Sequence, residues 1–389
     1  MVAKKRTAGV AGAGEESLAE AIAGELNKAS KEGQKAFFIG EEETPTDLSD
    51  FISTGSSLLD LAISNRPNGG IAVGRITELA GLEGSGKSLI CAHMIADVQK
   101  DGGVAVLIDS EAAVNAEFFE AVGIDMSRLV YIPCDNLEEA FEHVEMIIER
   151  IRKNAKNNKK VLIIIDSLAA LLPKAELELG FEQQGFGTQK AKLLSRAMAK
   201  LVQLIARQRI ALVLTNQLRM KLNAQPFADP YITPGGKAVP FYASTRVRLS
   251  MSGPIKNANK EQIGVNVNAK IIKNRLGPPN RVVKFDVFYD RGIDDVSSWL
   301  AFLKEKEIIT GTNGRFTFVD QHGEEHKFQT STWKEFTKTH PETFEEIYTK
   351  ISEAMIMSYK SDGLSTLDGT AVIVEANDGA LDFEGVSDS

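Results

Sequence analysis

The run Gly81-Leu-Glu-Gly-Ser-Gly-Lys-Ser88 has the pattern G-x-x-x-x-G-K-[ST], and its flanks decide what it can be. An extended apolar stretch, Arg75–Ala80, precedes it, and a helix-like run, Leu89–Ala96, follows. Strand, glycine loop and helix N-terminus together make an anion cradle. The glycines let backbone N–H groups close around phosphates, and the helix dipole adds positive potential. Lys87 then reaches β- and γ-phosphates, and the Ser88 hydroxyl can ligate Mg²⁺. The expected nucleotide contacts are Gly81, Leu82, Glu83, Gly84, Ser85, Gly86, Lys87 and Ser88.

Charge is distributed unevenly enough to point at a second ligand. The 389 residues carry a net charge of −8, yet Gly187 to Lys284 hold 18 Lys and Arg against Asp229 and Glu261, a local +16. Beyond Lys360 seven Asp and Glu follow with no basic residue. A basic middle between acidic ends reads either as a solvated face or as a phosphate-binding surface. No apolar run approaches the roughly 20 residues of a membrane helix, and Glu15-Glu16 interrupts any signal peptide. Cys91 and Cys134 form no metal-spaced pair and read as core residues. A cytoplasmic, reducing setting is expected.

From about residue 50 short apolar runs alternate with helical stretches. The candidate strands are Thr77–Ala80, Val104–Ile108, Leu129–Ile132, Val161–Ile165, Ile210–Leu214, Arg246–Met251, Asn266–Lys273 and Val282–Tyr289. Helical patterns such as Leu137–Lys153 and Gln189–Arg207 fill gaps among the first five. That alternation predicts an α/β fold with a mainly parallel twisted sheet covered on both faces, finishing antiparallel. Residues 1–14 are low in complexity and expected to be disordered. Residues 15–48 predict an amphipathic helix with Leu18, Ile22 and Leu26 on one stripe, then a short strand at Ala36–Ile39. Neither can bury much alone, so docking on the core or a neighbouring subunit is expected. The ATPase-like core spans 49–295, a small α/β module 296–360, and an acidic, disordered tail 361–389. In the module, Pro341 should open a helix with Phe344, Ile347, Tyr348, Ile351 and Met355 inward.

Three strands end in polar side chains where phosphates would lie. Val161–Ile165 ends in Asp166, a Mg²⁺ ligand in phosphate-loop enzymes. Val104–Ile108 leads to Asp109 and Glu111. Glu111 could activate water or cap a helix. Gln217 closes Ala211–Gln217 as a γ-phosphate sensor or as a satisfied amide at a strand end. Two long segments, about 176–187 and 220–237, resist secondary structure and carry aromatics, amides, prolines and glycines beside basic residues. Near Lys190, Lys192, Arg196, Arg219 and Lys221, such loops suit a single strand of nucleic acid.

Taken in order, Ile52-Ser-Thr-Gly-Ser56, the phosphate loop, Ile108-Asp-Ser-Glu111, Ile165-Asp-Ser167, Pro173-Lys-Ala-Glu176, Asn216-Gln-Leu-Arg-Met-Lys221, Gly235-Gly236, Phe241-Tyr-Ala-Ser244 and Lys273-Asn-Arg275 resemble the RecA recombinases. The likeness runs from about residue 15 to about 358. It implies a RecA-type ATPase core, an N-terminal helix–strand oligomerisation element and a small C-terminal α/β module. The implied protein uses ATP and Mg²⁺, forms a helical filament on single-stranded DNA, pairs it with homologous double-stranded DNA and exchanges strands. Single-strand-binding protein and a loading mediator are implied partners, and no membrane is. By position, Glu111 resembles the water-activating residue, Gln217 the γ-phosphate sensor, Phe118 and Tyr289 the base contacts, and Lys273 with Arg275 the cations that reach a neighbour's ATP. Phe241 resembles an interface residue, as do Leu18, Ile22 and Leu26 of the docking helix. The implied DNA contacts are Phe186, Lys192, Ser195, Arg196, Arg219, Lys221, Phe227, Gly235 and Gly236. Lys192 and Ser88 stand where Arg and Thr are usual, and both DNA loops are one residue longer than the common bacterial form. A RecA-core ring helicase would share the phosphate loop and the strand-rim carboxylates, and a non-exchanging DNA-coating scaffold would use ATP only for assembly; homologous pairing separates them.

Overall fold

The computed structural model describes residues 18–29, 36–38, 44, 47–112, 114–153, 159–178, 187–221 and 230–359. Its centre is a nine-stranded sheet of β1 (Ile76–Gly81), β2 (Val104–Asp109), β3 (Leu129–Pro133), β4 (Val161–Asp166), β5 (Ile210–Gln217), β6 (Thr245–Lys256), β7 (Gln262–Asn274), β8 (Val282–Phe288) and β9 (Gly292–Asp294). The order is β9-β8-β7-β6-β1-β5-β4-β2-β3. The six strands from β6 to β3 are parallel, and β7, β8 and β9 complete the sheet antiparallel. The expected α/β class and its antiparallel finish are both present.

Alternation along the strands explains how the sheet is covered. On β4, Leu162 and Ile164 enter one apolar core while Ile163 and Ile165 enter the other. One face is packed by α5 (Leu137–Lys153) and α7 (Gly187–Gln208), whose Phe141, Val144, Leu194, Met198 and Leu201 are buried at helical spacing. Against the other face lies α3 (Lys87–Lys100), which follows the glycine loop. Burying both faces accounts for continuous runs such as Val161-Leu-Ile-Ile-Ile165.

The chain after β9 shares the core of that second face. Helix Asp295–Glu305 brings Trp299 onto Phe344 of helix Pro341–Met355, the rings stacked with centroids 4.7 Å apart. Asp295 accepts from Ser57 N at 2.7 Å, and Tyr348 OH accepts from Asn68 N at 2.9 Å. A hairpin forms between Arg315–Val319 and Glu325–Gln329.

The N-terminal helix is Leu18–Ala29, and its stripe is bare: Leu18, Ile22 and Leu26 are 77%, 50% and 54% exposed. The strand expected at Ala36–Ile39 is corrected for its described part, since 36–38 have no regular structure. Ala36 uses both backbone polar groups on one side chain, its N–H donating to Asn27 Oδ1 at 2.8 Å and its carbonyl accepting from Asn27 Nδ2 at 3.0 Å. The expected termini, 1–14 and 361–389, lie outside the described residues. Among the described residues no helix is long and apolar enough to cross a membrane.

Candidate nucleotide and DNA site

Parallel strands all point their C-terminal ends at one rim, where a doubly covered sheet binds ligands. Here β1 ends at Gly81, paired with Gln217 of β5, and β2 ends at Asp109, paired with Asp166 of β4. The glycine loop therefore opens beside Gln217, with Asp166 and the Asp109–Glu111 turn one and two strands further on.

Within the loop, Gly84 and Gly86 take φ of +70° and +92°, which side chains resist. A Cβ on Gly81 would fall 2.2 Å from Ser85 Oγ, so only glycine admits the turn. Lys87 Nζ donates to the carbonyls of Gly81 and Leu82 at 3.2 and 3.0 Å. Burial lowers its pKa, while the Asp166 and Glu111 charges oppose that shift. Burial in turn raises the pKa of Asp166, offset by hydrogen bonds from Thr215 and Ser88. The Thr215 bond measures 2.5 Å. Cation and carboxylate thus sit within mutual reach, and Ser88 touches the one candidate metal ligand the strand supplies.

Glu111 is held from two sides. Ser167 Oγ donates to its Oε1 at 2.6 Å, and Gln217 Nε2 donates to the same oxygen at 3.4 Å. Behind it, Asp109 fixes the turn by accepting from the N–H groups of Glu111 and Ala112 at 2.9 and 3.1 Å and from Tyr131 OH at 3.0 Å. Lys87, Ser88, Glu111, Asp166 and Gln217 therefore converge. Phe118 lies in the first turn of the helix Ala116–Val122 and is partly buried beside Phe119. Tyr289 follows β8 on the same rim, exposed, its hydroxyl accepting from Gln262 Nε2 at 2.5 Å.

Lys273, Arg275 and Phe241 do not join them. Register carries Thr77 across to Thr245 and then Asn274, so Lys273 and Arg275 stand at the opposite rim. Four residues separate that level from Gly81, about 13 Å at 3.3 Å per residue. Lys273 Nζ donates to the carbonyls of Pro240 and Phe241 at 2.7 and 2.8 Å. Burial, then Arg275 and Arg246, lower its pKa. Phe241 is 65% exposed.

The basic residues collect over α7. Lys192, Ser195 and Arg196 are exposed there, and Arg219 and Lys221 are exposed just beyond β5. Arg219–Met220 pairs antiparallel with Tyr231–Ile232, making a two-rung base for the second loop. Gly235 and Gly236, at φ +100° and +74°, bring its far end onto α7, where a Cβ at Gly235 would lie 2.5 Å from Leu194 Cδ1. Lys190 is a correction: it is buried, and its Nζ serves the carbonyls of Leu168 and Ala169 at 2.7 and 3.2 Å. It secures the end of β4 rather than facing a ligand. Residues 179–186 of the first loop, with Phe186, and 222–229 of the second, with Phe227, lie outside the described residues.

Sequence reading missed a buried polar chain. Glu78, in the middle of β1, is wholly buried and ion-paired with Arg246. Asn216 Nδ2 donates to Glu78 Oε1 at 3.1 Å and to the Pro234 carbonyl at 3.3 Å. A lone carboxylate inside an apolar strand was the available signal, because such a charge requires a partner.

A family model described as the RecA N-terminal domain matches residues 19–294. The chain is similar to "Protein RecA" of Nautilia profundicola, 37% identical over 304 residues, covering 78% of this chain and 83% of that one. "Protein RecA" of Thermus aquaticus is 34% identical over 340 residues, with 87% and 95% covered. "Protein RecA" of Rhodopirellula baltica is 36% identical over 305 residues, with 78% and 77% covered.

Proposed function

Because the chain belongs to the RecA family of recombinases, we propose that its strand rim is an ATP-operated switch on a DNA-binding loop, in a filament that pairs single-stranded DNA with a homologous duplex. The observation that carries this reading is the meeting of Gln217 with Glu111, two residues before the base of the second loop.

The cradle suits a phosphate load: Ser85 Oγ is buried without a hydrogen-bond partner, and the flanking glycines can turn N–H groups inward. Lys87 supplies positive charge to the β- and γ-phosphates. Ser88 and Asp166 would hold Mg²⁺, whose charge offsets that of the phosphate oxygens. Glu111, steadied by Ser167, aligns a water and accepts its proton. Gln217 exchanges its contact with Glu111 for the γ-phosphate and pulls on Arg219 and Met220. Phe118 and Tyr289 contact the base.

Lys273 and Arg275 are too far round the sheet to serve their own phosphate loop, so they act on a neighbour's, with Phe241 at the same junction. Charge stabilisation then requires assembly. Leu18, Ile22 and Leu26 dock on the adjacent subunit. DNA lies on Lys192, Ser195, Arg196, Arg219, Lys221 and Gly235-Gly236, with Phe186 and Phe227 from the loops. Single-strand-binding protein and a loading mediator complete the cytoplasmic setting.

A strand-invasion assay tests the proposal. ATP-dependent joint molecules with homologous but not heterologous duplex are expected. Unwinding of both duplexes would favour a ring translocase, and DNA coating without joints would favour a scaffold.

A further inference from the structure

At the corner where β3 runs into α5, three side chains of different chemistry come together. Cys134 follows the last residue of β3, and Glu139 and His143 sit one helical turn apart on α5. One donor atom from each lies within 4.8 Å of the other two. We propose that Cys134, Glu139 and His143 form a divalent-metal site that selects zinc.

The donor set argues for that metal. A soft thiolate and a borderline imidazole beside a single hard carboxylate suit Zn²⁺ and disfavour Mg²⁺ or Ca²⁺, which take oxygen ligands. Two negative ligands neutralise the ion, and three protein donors leave a fourth position for water. The corner is fixed in advance: Asn136 Oδ1 accepts from Glu139 N at 2.9 Å, its Nδ2 donates to Glu139 Oε2 at 3.1 Å, and Cys134 N donates to the Asp109 carbonyl at 2.9 Å. His143 Nδ1 is buried with no hydrogen-bond partner, which leaves a nitrogen whose burial nothing yet offsets. Burial above all pushes the Cys134 thiol up to about 11, so occupancy must release its proton. A second group, Asp320, Glu324 and His326, meets the same distance test. There Asp320 already accepts from the N–H groups of His322 and Glu324 at 2.9 Å each and contacts His326 Nε2 at 3.0 Å, so the turn satisfies itself.

The test uses untagged full-length protein, stripped with chelator and free of nucleotide. Equilibrium dialysis against Zn²⁺ should retain one equivalent, and Zn²⁺ should raise the thermal midpoint. Cys134→Ser and His143→Ala should each weaken retention at least ten-fold and abolish the thermal shift, while Cys91→Ala keeps both. Co²⁺ as a probe should give thiolate-to-metal absorption in the wild type and in Cys91→Ala but not in Cys134→Ser. Should either variant prove unfolded before metal is added, the cobalt spectrum of the wild type and Cys91→Ala still decides. Sub-stoichiometric retention, equal retention by all variants, or cobalt binding without the thiolate band would each overturn the proposal.

Discussion

Gln217 Nε2 donates to Glu111 Oε1 across 3.4 Å, joining the last residue of β5 to the turn that follows β2. β4 lies between those two strands in the sheet, and Ser167, just after β4, donates to the same oxygen at 2.6 Å. One carboxylate is thus shared between the residue expected to report the γ-phosphate and the residue that steadies it for chemistry.

Glu111→Gln keeps the size of the side chain and an acceptor for Ser167 but cannot take a proton. Hydrolysis should fall by roughly 10²–10⁴-fold, the range of a lost general base, while ATP-dependent binding of single-stranded DNA persists. Steady-state phosphate release beside DNA-binding anisotropy measures both. A collapse of nucleotide affinity instead would make Glu111 structural.

Lys87→Ala and Arg275→Ala damage opposite rims of the sheet. If each ATP is completed by a neighbour, mixing the two inactive proteins should restore part of the DNA-stimulated hydrolysis. Co-assembly without any recovery would assign Arg275 to its own protomer.

Glu78 and Arg246 are a buried pair, the carboxylate fully enclosed. Glu78→Ala leaves Arg246 partly buried and Asn216 short of its acceptor, so chemical denaturation should show a loss of about 3–5 kcal/mol. Glu78→Met with Arg246→Met should recover most of that loss. It should not recover nucleotide-dependent DNA binding if the chain from Asn216 through Glu78 serves coupling.

Two buried groups oppose each other in acid. Burial lowers His93 to about 4, and its Nε2 accepts from Ile293 N at 2.9 Å. The unfolded chain binds that proton first, so stability falls as pH drops from the ordinary histidine value through about 4, by no more than about 3 kcal/mol. Burial raises Asp60 to about 7. Here the folded chain holds the proton, so this contribution is lost as pH rises from the ordinary carboxyl value through about 7. His93→Gln should therefore flatten the acid side of a urea-midpoint profile, and Asp60→Asn should steepen it. Unchanged slopes in both would contradict the assigned burial effects.

What was legible in the sequence follows from which interactions are local. The glycine loop, β4 ending at Asp166 and the helix Leu137–Lys153 are set by short-range patterns, and their elements agree with the structure to within a residue or two. Long pairings were not legible. Lys190 carries a charge like its exposed neighbours, and only tertiary packing turns it onto the carbonyls after β4. Glu78 to Arg246 spans 168 positions, and Thr215 to Asp166 spans 49. The expected strand after the N-terminal helix is not formed in its described part, where the Asn27 amide takes both backbone polar groups of Ala36.

The central claim is that Gln217 links γ-phosphate occupancy to DNA affinity. Its most direct test is the ratio of single-stranded DNA Kd values with ADP and with a slowly hydrolysed ATP analogue, in wild type and in Gln217→Ala. The account predicts a ratio of at least about 10 in the wild type, about 1.4 kcal/mol, collapsing towards one in the variant with nucleotide affinity unchanged. A variant that keeps the wild-type ratio would contradict it.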